Sequence, residues 1–168
     1  MIIIMNNLWA PWRMQFIEDL KSQKGGCVFC ELALPGDDRE RLILHRGKNA
    51  FIVMNRFPYN NGHVLITPYR HVSTIRELEG VEKEEMMGLA GDSVEIMSQA
   101  IEAEGFNCGI NLGRAGGAGV LDHVHLHVVP RWVGDTNFLP VMSETRSMPE
   151  YLQNTYDRLI GGFKKLGK

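Results

Sequence analysis

The chain has 168 residues, 44% hydrophobic and 23% charged, a size and balance that fit one soluble domain with its own core. Its net charge of −2 excludes a globally basic nucleic-acid surface, so no nucleic-acid partner is expected, and three cysteines are too few for a disulfide framework. No apolar run reaches the ~18 residues of a membrane span, and Met1-Ile2-Ile3-Ile4-Met5 is too short for a signal-peptide core, which together predict a cytoplasmic protein away from membranes.

In chain order, the first forty residues read as irregular. They carry Leu8-Trp9-Ala10-Pro11-Trp12-Arg13, a short helix over Met14 to Lys21, and Cys27-Val28-Phe29-Cys30 after two glycines. Strand-length apolar runs follow at Leu42–His45, Phe51–Met54 and His63–Thr67, the first two joined by a hairpin-like loop and the third reached through a longer connection, Asn55 to Gly62. Met86, Ala90, Val94, Met97 and Ile101 recur at helical spacing and predict a helix over Lys83–Glu104, with Gly105 as its C-cap. Two more strands, Asn107–Leu112 and His123–Val129, flank Gly113–Gly119, which holds four glycines in seven residues. A capping pattern at Ser147-x-x-Glu150 opens a final helix with Leu152, Tyr156, Leu159, Ile160 and Phe163 on its apolar face. The sum is a single α+β domain of five strands and two main helices, paired antiparallel because the first connections are short. Its parts are an N-terminal segment (1–40), a core (41–138) and a helical tail (139–168).

His123-Val124-His125-Leu126-His127-Val128-Val129 alternates polar and apolar with period two. On a strand that sets three imidazoles on one face, to meet water or a ligand, and Val124, Leu126 and Val128 on the other. An isolated histidine is most often structural, but three neighbouring bases repel one another when protonated and make a poor structural choice. His123 and His127 lie about 13 Å apart along such a strand, too far to share one metal with His125 easily. The row better matches an extended anion, or one nucleophile flanked by two helpers. Imidazole is a competent nucleophile at phosphorus near neutral pH, and the adjacent glycines let backbone N–H groups approach an anion.

That heptapeptide resembles the signature of the histidine triad (HIT) family. Asn55-Arg56-Phe57-Pro58, Gly62-His63-Val64-Leu65-Ile66-Thr67-Pro68, Pro130-Arg131-Trp132 and Gly134-Asp135-Thr136-Asn137-Phe138 are similar to blocks of its Fhit-like, diadenosine tetraphosphate-processing branch, and the likeness runs from about Leu8 to Phe138. The resemblance implies a HIT-like five-stranded antiparallel sheet, a homodimer, and nucleotide chemistry. His125 would attack the α-phosphorus of a dinucleoside polyphosphate to give a nucleotidyl-histidine intermediate, with His123 and His127 orienting it and balancing charge. His63 would be a fourth histidine of the site, Asn55 would contact the ribose, Leu65 would lie against the base, and Asn111 is a further polar contact. Gly119 stands where Fhit-like members carry Gln and some phosphorylases Ser, so hydrolase and phosphorylase are both open. Arg114 and Arg131 border the motif blocks and are candidate phosphate contacts.

Cys27-x-x-Cys30 has zinc-knuckle spacing and needs two more ligands, for which His45, His71 and His123 are candidates. Two free buried thiols are the alternative. The resemblance selects His71 and His123, implying one structural zinc and no organic cofactor; His123 would then act on catalysis by orientation alone. Cys108 reads as a packed strand residue. Besides the enzyme, the residues allow a zinc-stabilised nucleotide-binding module with vestigial catalysis, or a metalloenzyme using the triad as ligands.

Overall fold

The computed structural model describes residues 26–135 and 148–166. The helix expected over Met14–Lys21, the tryptophans at 9 and 12, and Thr136-Asn137-Phe138 lie outside the described residues. Cys27–Asp135 and Met148–Lys168 form one compact unit.

Helix α1 (Val28–Ala33) leads to β1 (Ile43–Arg46), β2 (Ala50–Met54) and β3 (Val64–Pro68), then a 3-10 turn (Ile75–Glu77) and the long helix α2 (Gly80–Ala100). Strands β4 (Gly105–Ile110) and β5 (Leu126–Arg131) and helix α3 (Leu152–Phe163) follow. The strands make one sheet in the order β1-β2-β3-β5-β4, every pair antiparallel, as expected from the sequence.

Period-two alternation divides the sheet into two faces. Ala50, Ile52, Met54, Val64, Ile66, Leu126 and Val128 join Met86, Leu89, Ala90 and Met97 of α2 and Tyr156, Leu159 and Phe163 of α3 in the main core. Each fully buried side chain of this kind contributes about 1.5–3 kcal/mol. The alternate residues Ile43, Phe51, Val53 and Leu65 form a smaller cluster with Phe29 on the opposite face. That second face is where the histidines lie.

Several boundaries differ from expectation. Helix α2 begins three residues early because Glu79 and Glu82 form a reciprocal capping box. It stops at Ala100, and Gly105 is the first residue of β4 rather than a C-cap; the left-handed turn falls on Glu102 (φ 53°) instead. Helix α3 is capped at Tyr151, and Ser147 of the expected capping pattern lies outside the described residues; Glu150 lies 2.8 Å from the Thr155 hydroxyl. The β5 ladder begins at Leu126, leaving His123 and His125 ahead of it. Continuing the β3 register would set Pro68, which has no N–H, opposite Val124. The segment is held by other bonds, from the Val124 N–H to the Val72 carbonyl (2.7 Å) and from the Thr67 hydroxyl to the Val124 carbonyl (3.1 Å).

Candidate functional site

The three imidazoles share a face but do not meet water. His123, His125 and His127 are 0%, 4% and 7% exposed, because α1 and the β2–β3 connection cover the row. Phe29, between the two cysteines, sets its ring 5.4 Å from that of His123 and 5.0 Å from that of His125. The ring of Tyr59 lies 5.5 Å from His127, nearly parallel to it. Neither aromatic carried a sequence signal beyond its place beside a motif.

Hydrogen bonds order the protons along the row. His125 Nδ1 lies 2.8 Å from the His123 carbonyl, which can only accept, so Nδ1 carries the proton and Nε2 the lone pair. The backbone N–H of Tyr59 donates to His63 Nδ1 (3.0 Å), and the Asn55 side-chain amide lies 3.3 Å from the same atom. His63 therefore carries its proton on Nε2 and donates it to His127 Nδ1 at 2.9 Å. That leaves His127 with an Nε2–H. This atom is the one buried side-chain nitrogen or oxygen without a hydrogen-bond partner among the described residues. Buried polar groups are otherwise satisfied, so a lone donor here awaits a ligand. Burial, and then the neighbouring His125, push the His127 pKa down to about 4, and burial lowers that of His125 as well. Both rings are thus neutral at pH 7.

His123 is placed differently. Its Nε2–H donates to the Pro68 carbonyl (2.9 Å), fixing the lone pair on Nδ1, which lies 3.2 Å from Cys27 Sγ and 3.7 Å from Cys30 Sγ. His71 Nδ1 is 3.3 Å from Cys30 Sγ, and the four ligand atoms all lie within 4.8 Å of one another. A tetrahedral ion bound at ~2.1 Å by nitrogen and ~2.3 Å by sulfur sets its ligand atoms about 3.4–3.8 Å apart, so this group could hold a metal ion. Burial and the adjacent Cys27 thiol raise the pKa of Cys30, which makes thiolates costly there unless a cation offsets them. His45 is not among the four. With both nitrogens engaged, His123 cannot touch a phosphate, and its link to the nucleophile is its carbonyl.

The remaining candidates fall around this centre. Leu65 pairs with His127 across the β3–β5 ladder. Asn55 Oδ1 accepts the Phe57 N–H (2.9 Å), an Asx turn that fixes the side chain beside His63. Asn111 Nδ2 reaches the Tyr59 hydroxyl (3.2 Å) and the Gly117 carbonyl (3.5 Å). In the glycine loop, Gly113 and Gly117 have positive φ (70° and 82°), and a Cβ on Gly116 would meet the Leu112 carbonyl oxygen. The amides of Gly117 and Ala118 close turns inside the loop and are not offered to an anion. Gly119 faces open space, with nothing within 4 Å of a Cβ. Two sequence readings are corrected. Arg131 makes a two-pronged pair with Asp135 (2.6 and 2.7 Å) and reaches Asn107 Oδ1 (2.9 Å), so its guanidinium is committed to holding β4 and β5 together. Cys108 is exposed on the edge strand β4, not packed.

A family model described as HIT domain matches residues 38–133. The chain is 33% identical over 157 residues to AP-4-A phosphorylase of Mycobacterium tuberculosis, covering 90% of this chain and 80% of that protein. A zinc-bound histidine triad family protein from Mycobacterium smegmatis superposes with a TM-score of 0.67 at 25% identity, over 84% of this chain and 95% of that one. Diadenosine triphosphate hydrolase of Plasmodium falciparum shares the fold, with a TM-score of 0.61 at 20% identity over 77% of this chain and 80% of that one.

Proposed function

The chain belongs to the histidine triad (HIT) domain family, and from that premise we propose that it is an enzyme cleaving dinucleoside polyphosphates, of the diadenosine tri- or tetraphosphate type, at the α-phosphorus. The observation that carries this reading is the proton order of the histidine row. His125 offers a neutral Nε2 lone pair, and His127 offers an Nε2–H with no partner among the described residues. The His125 lone pair attacks the α-phosphorus, the bond to the bridging oxygen breaks, and the nucleoside polyphosphate departs, leaving a nucleotidyl-imidazole. The Nδ1–H bond to the His123 carbonyl holds the ring and stabilises the positive charge that develops on it. The His127 N–H supports the phosphate oxygens as charge builds there. An acceptor then attacks phosphorus, the P–N bond breaks, and the imidazole is restored.

Water as acceptor yields AMP and inorganic phosphate yields ADP. The 33% identity to a phosphorylase favours phosphate. A partnerless donor beside an activated imidazole also favours working catalysis over a vestigial binding module. In this reading Asn55 meets the ribose, Leu65 the base, and Asn111 with the loop at Gly119 the phosphates. We assign catalysis to residues 41–138, with the 1–40 segment contributing Cys27 and Cys30. We take the metal to be zinc, which Cys27, Cys30, His71 and His123 would hold and which would serve as a structural cross-link, not as a reagent. We also propose a homodimer, for which the exposed edge strand β4 is the natural seam, and a cytoplasmic location; no helix of the described residues is long and apolar enough to cross a membrane.

The test is incubation with diadenosine tetraphosphate, with and without phosphate, and mass analysis of the products. AMP formed with water, or ADP formed only with phosphate, identifies the acceptor. His125→Ala is expected to lower turnover about 10³-fold or more. Full activity in that variant, or tight binding without turnover by the unaltered chain, would overturn the reading.

A further inference from the structure

Tyr59 belongs to the connection between β2 and β3 and is 41% exposed, yet it touches three parts of the site. Its ring lies 5.5 Å from that of His127 with 9° between the planes, and 4.7 Å from that of His63. Its backbone N–H sets the proton position on His63. Its hydroxyl accepts from Asn111 Nδ2, which also reaches the Gly117 carbonyl of the glycine loop.

His127 needs such a neighbour. Its Nδ1 is fixed by His63, but the residue opposite it on β4 is Gly109, which has no side chain to pack against an imidazole. The rings packed on His127 are those of His125 (4.9 Å), His63 (5.1 Å) and Tyr59. The first two belong to the proposed chemistry. The third does not, and it is the one that solvent reaches.

We propose that Tyr59 is a positioning residue, its ring covering His127 and keeping the partnerless Nε2–H dry and aimed at the phosphates. This rests on the reading of His127 as part of the reaction machinery. The titratable groups facing His127 are His125, His63 and the Tyr59 phenol, and burial holds its pKa at about 4. Removing the ring admits water to one side of the imidazole, so the pKa rises toward its ordinary value and the N–H loses its fixed direction. Keeping the ring and removing the hydroxyl leaves the cover in place.

The full metal-loaded chain is followed by imidazole nitrogen NMR against pH, alongside kinetics with diadenosine tetraphosphate. In Tyr59→Ala the His127 titration should move up by about one pH unit or more. Its kcat should fall about tenfold or more, with KM changed less than about threefold. Tyr59→Phe should stay within about twofold of the unaltered chain in kcat, with its titration unmoved. Tyr59→Leu repeats the ring removal should the alanine variant fold poorly. An unmoved titration with unchanged kcat in both ring-removing variants overturns the proposal, as does Tyr59→Phe proving as impaired as Tyr59→Ala. Should the unaltered chain turn over no dinucleotide, the proposed function fails, while the titration still decides whether Tyr59 positions His127.

Discussion

The alternation of residues 123–129 was enough to put three imidazoles on one face, but not to divide their labour. That division comes from hydrogen-bond partners the sequence does not display: the Pro68 carbonyl accepting from His123, the His123 carbonyl accepting from His125, and His63 donating to His127. The same burial gives His127 a thermodynamic signature. Its pKa is about 4 in the folded chain and ~6.5 when unfolded, so between these values the unfolded state binds more protons. The contribution of a neutral His127 to stability is complete above pH ~6.5 and is lost as pH falls toward about 4, up to about 3 kcal/mol in all. Denaturant midpoints taken from neutral to acid pH should therefore fall steeply, and His127→Gln should flatten the slope. The slope should not vanish, since His45, His123 and His125 have lowered pKa values for the same reason of burial. An unchanged slope in His127→Gln would mean that the ring carries no such penalty.

At the level of elements, legibility followed periodicity. The strands and the long helix were readable because burial on two faces writes a period into four or more residues. The six-residue α1 is too short to carry one, and it went unseen although it holds Phe29 against the nucleophile. Single glycines were harder still, because a glycine reads alike whether it caps, turns or makes room. Gly62 and Gly119 separate these roles. Gly62 has φ 75°, and an added Cβ would lie 2.8 Å from Ile101 Cδ1 and 3.3 Å from Pro130 Cγ. Gly62→Ala should cost about 1–2 kcal/mol, read as a lower denaturant midpoint. Gly119 has no positive φ and open space beside it, so Gly119→Ser or Gly119→Gln should leave the midpoint within about 0.5 kcal/mol of the unaltered chain. Its effect should appear in the ratio of ADP to AMP formed with phosphate present. A Gly119 variant that unfolds the chain, or a neutral Gly62→Ala, would show that these assignments are reversed.

For the whole molecule, net charge −2 supplies no long-range attraction for a polyphosphate, so recognition must be local and the local parts must be held still. The Cys27, Cys30, His71 and His123 group does this by joining segments far apart in sequence. Cys27 meets His123 across 96 residues, and Cys30 meets His71 across 41. A metal there would cross-link α1, the loop after β3 and the entry to β5, the last of which carries the proposed nucleophile two residues on. The main core closes without it, since α2 and α3 pack the opposite face of the sheet. Chelation should therefore lower the melting temperature rather than abolish folding. A cross-link over loops of this length is worth about 2–5 kcal/mol, or roughly 5–15 °C in a domain of this size. Cys27→Ser with Cys30→Ser should reproduce the drop and leave nothing further for a chelator to remove. Because the link to His125 runs through the His123 carbonyl, kcat should fall along with the metal content of partly stripped samples. A melting temperature indifferent to chelator, in a protein that elemental analysis shows to be loaded, would detach the cysteine pair from the stability of the site.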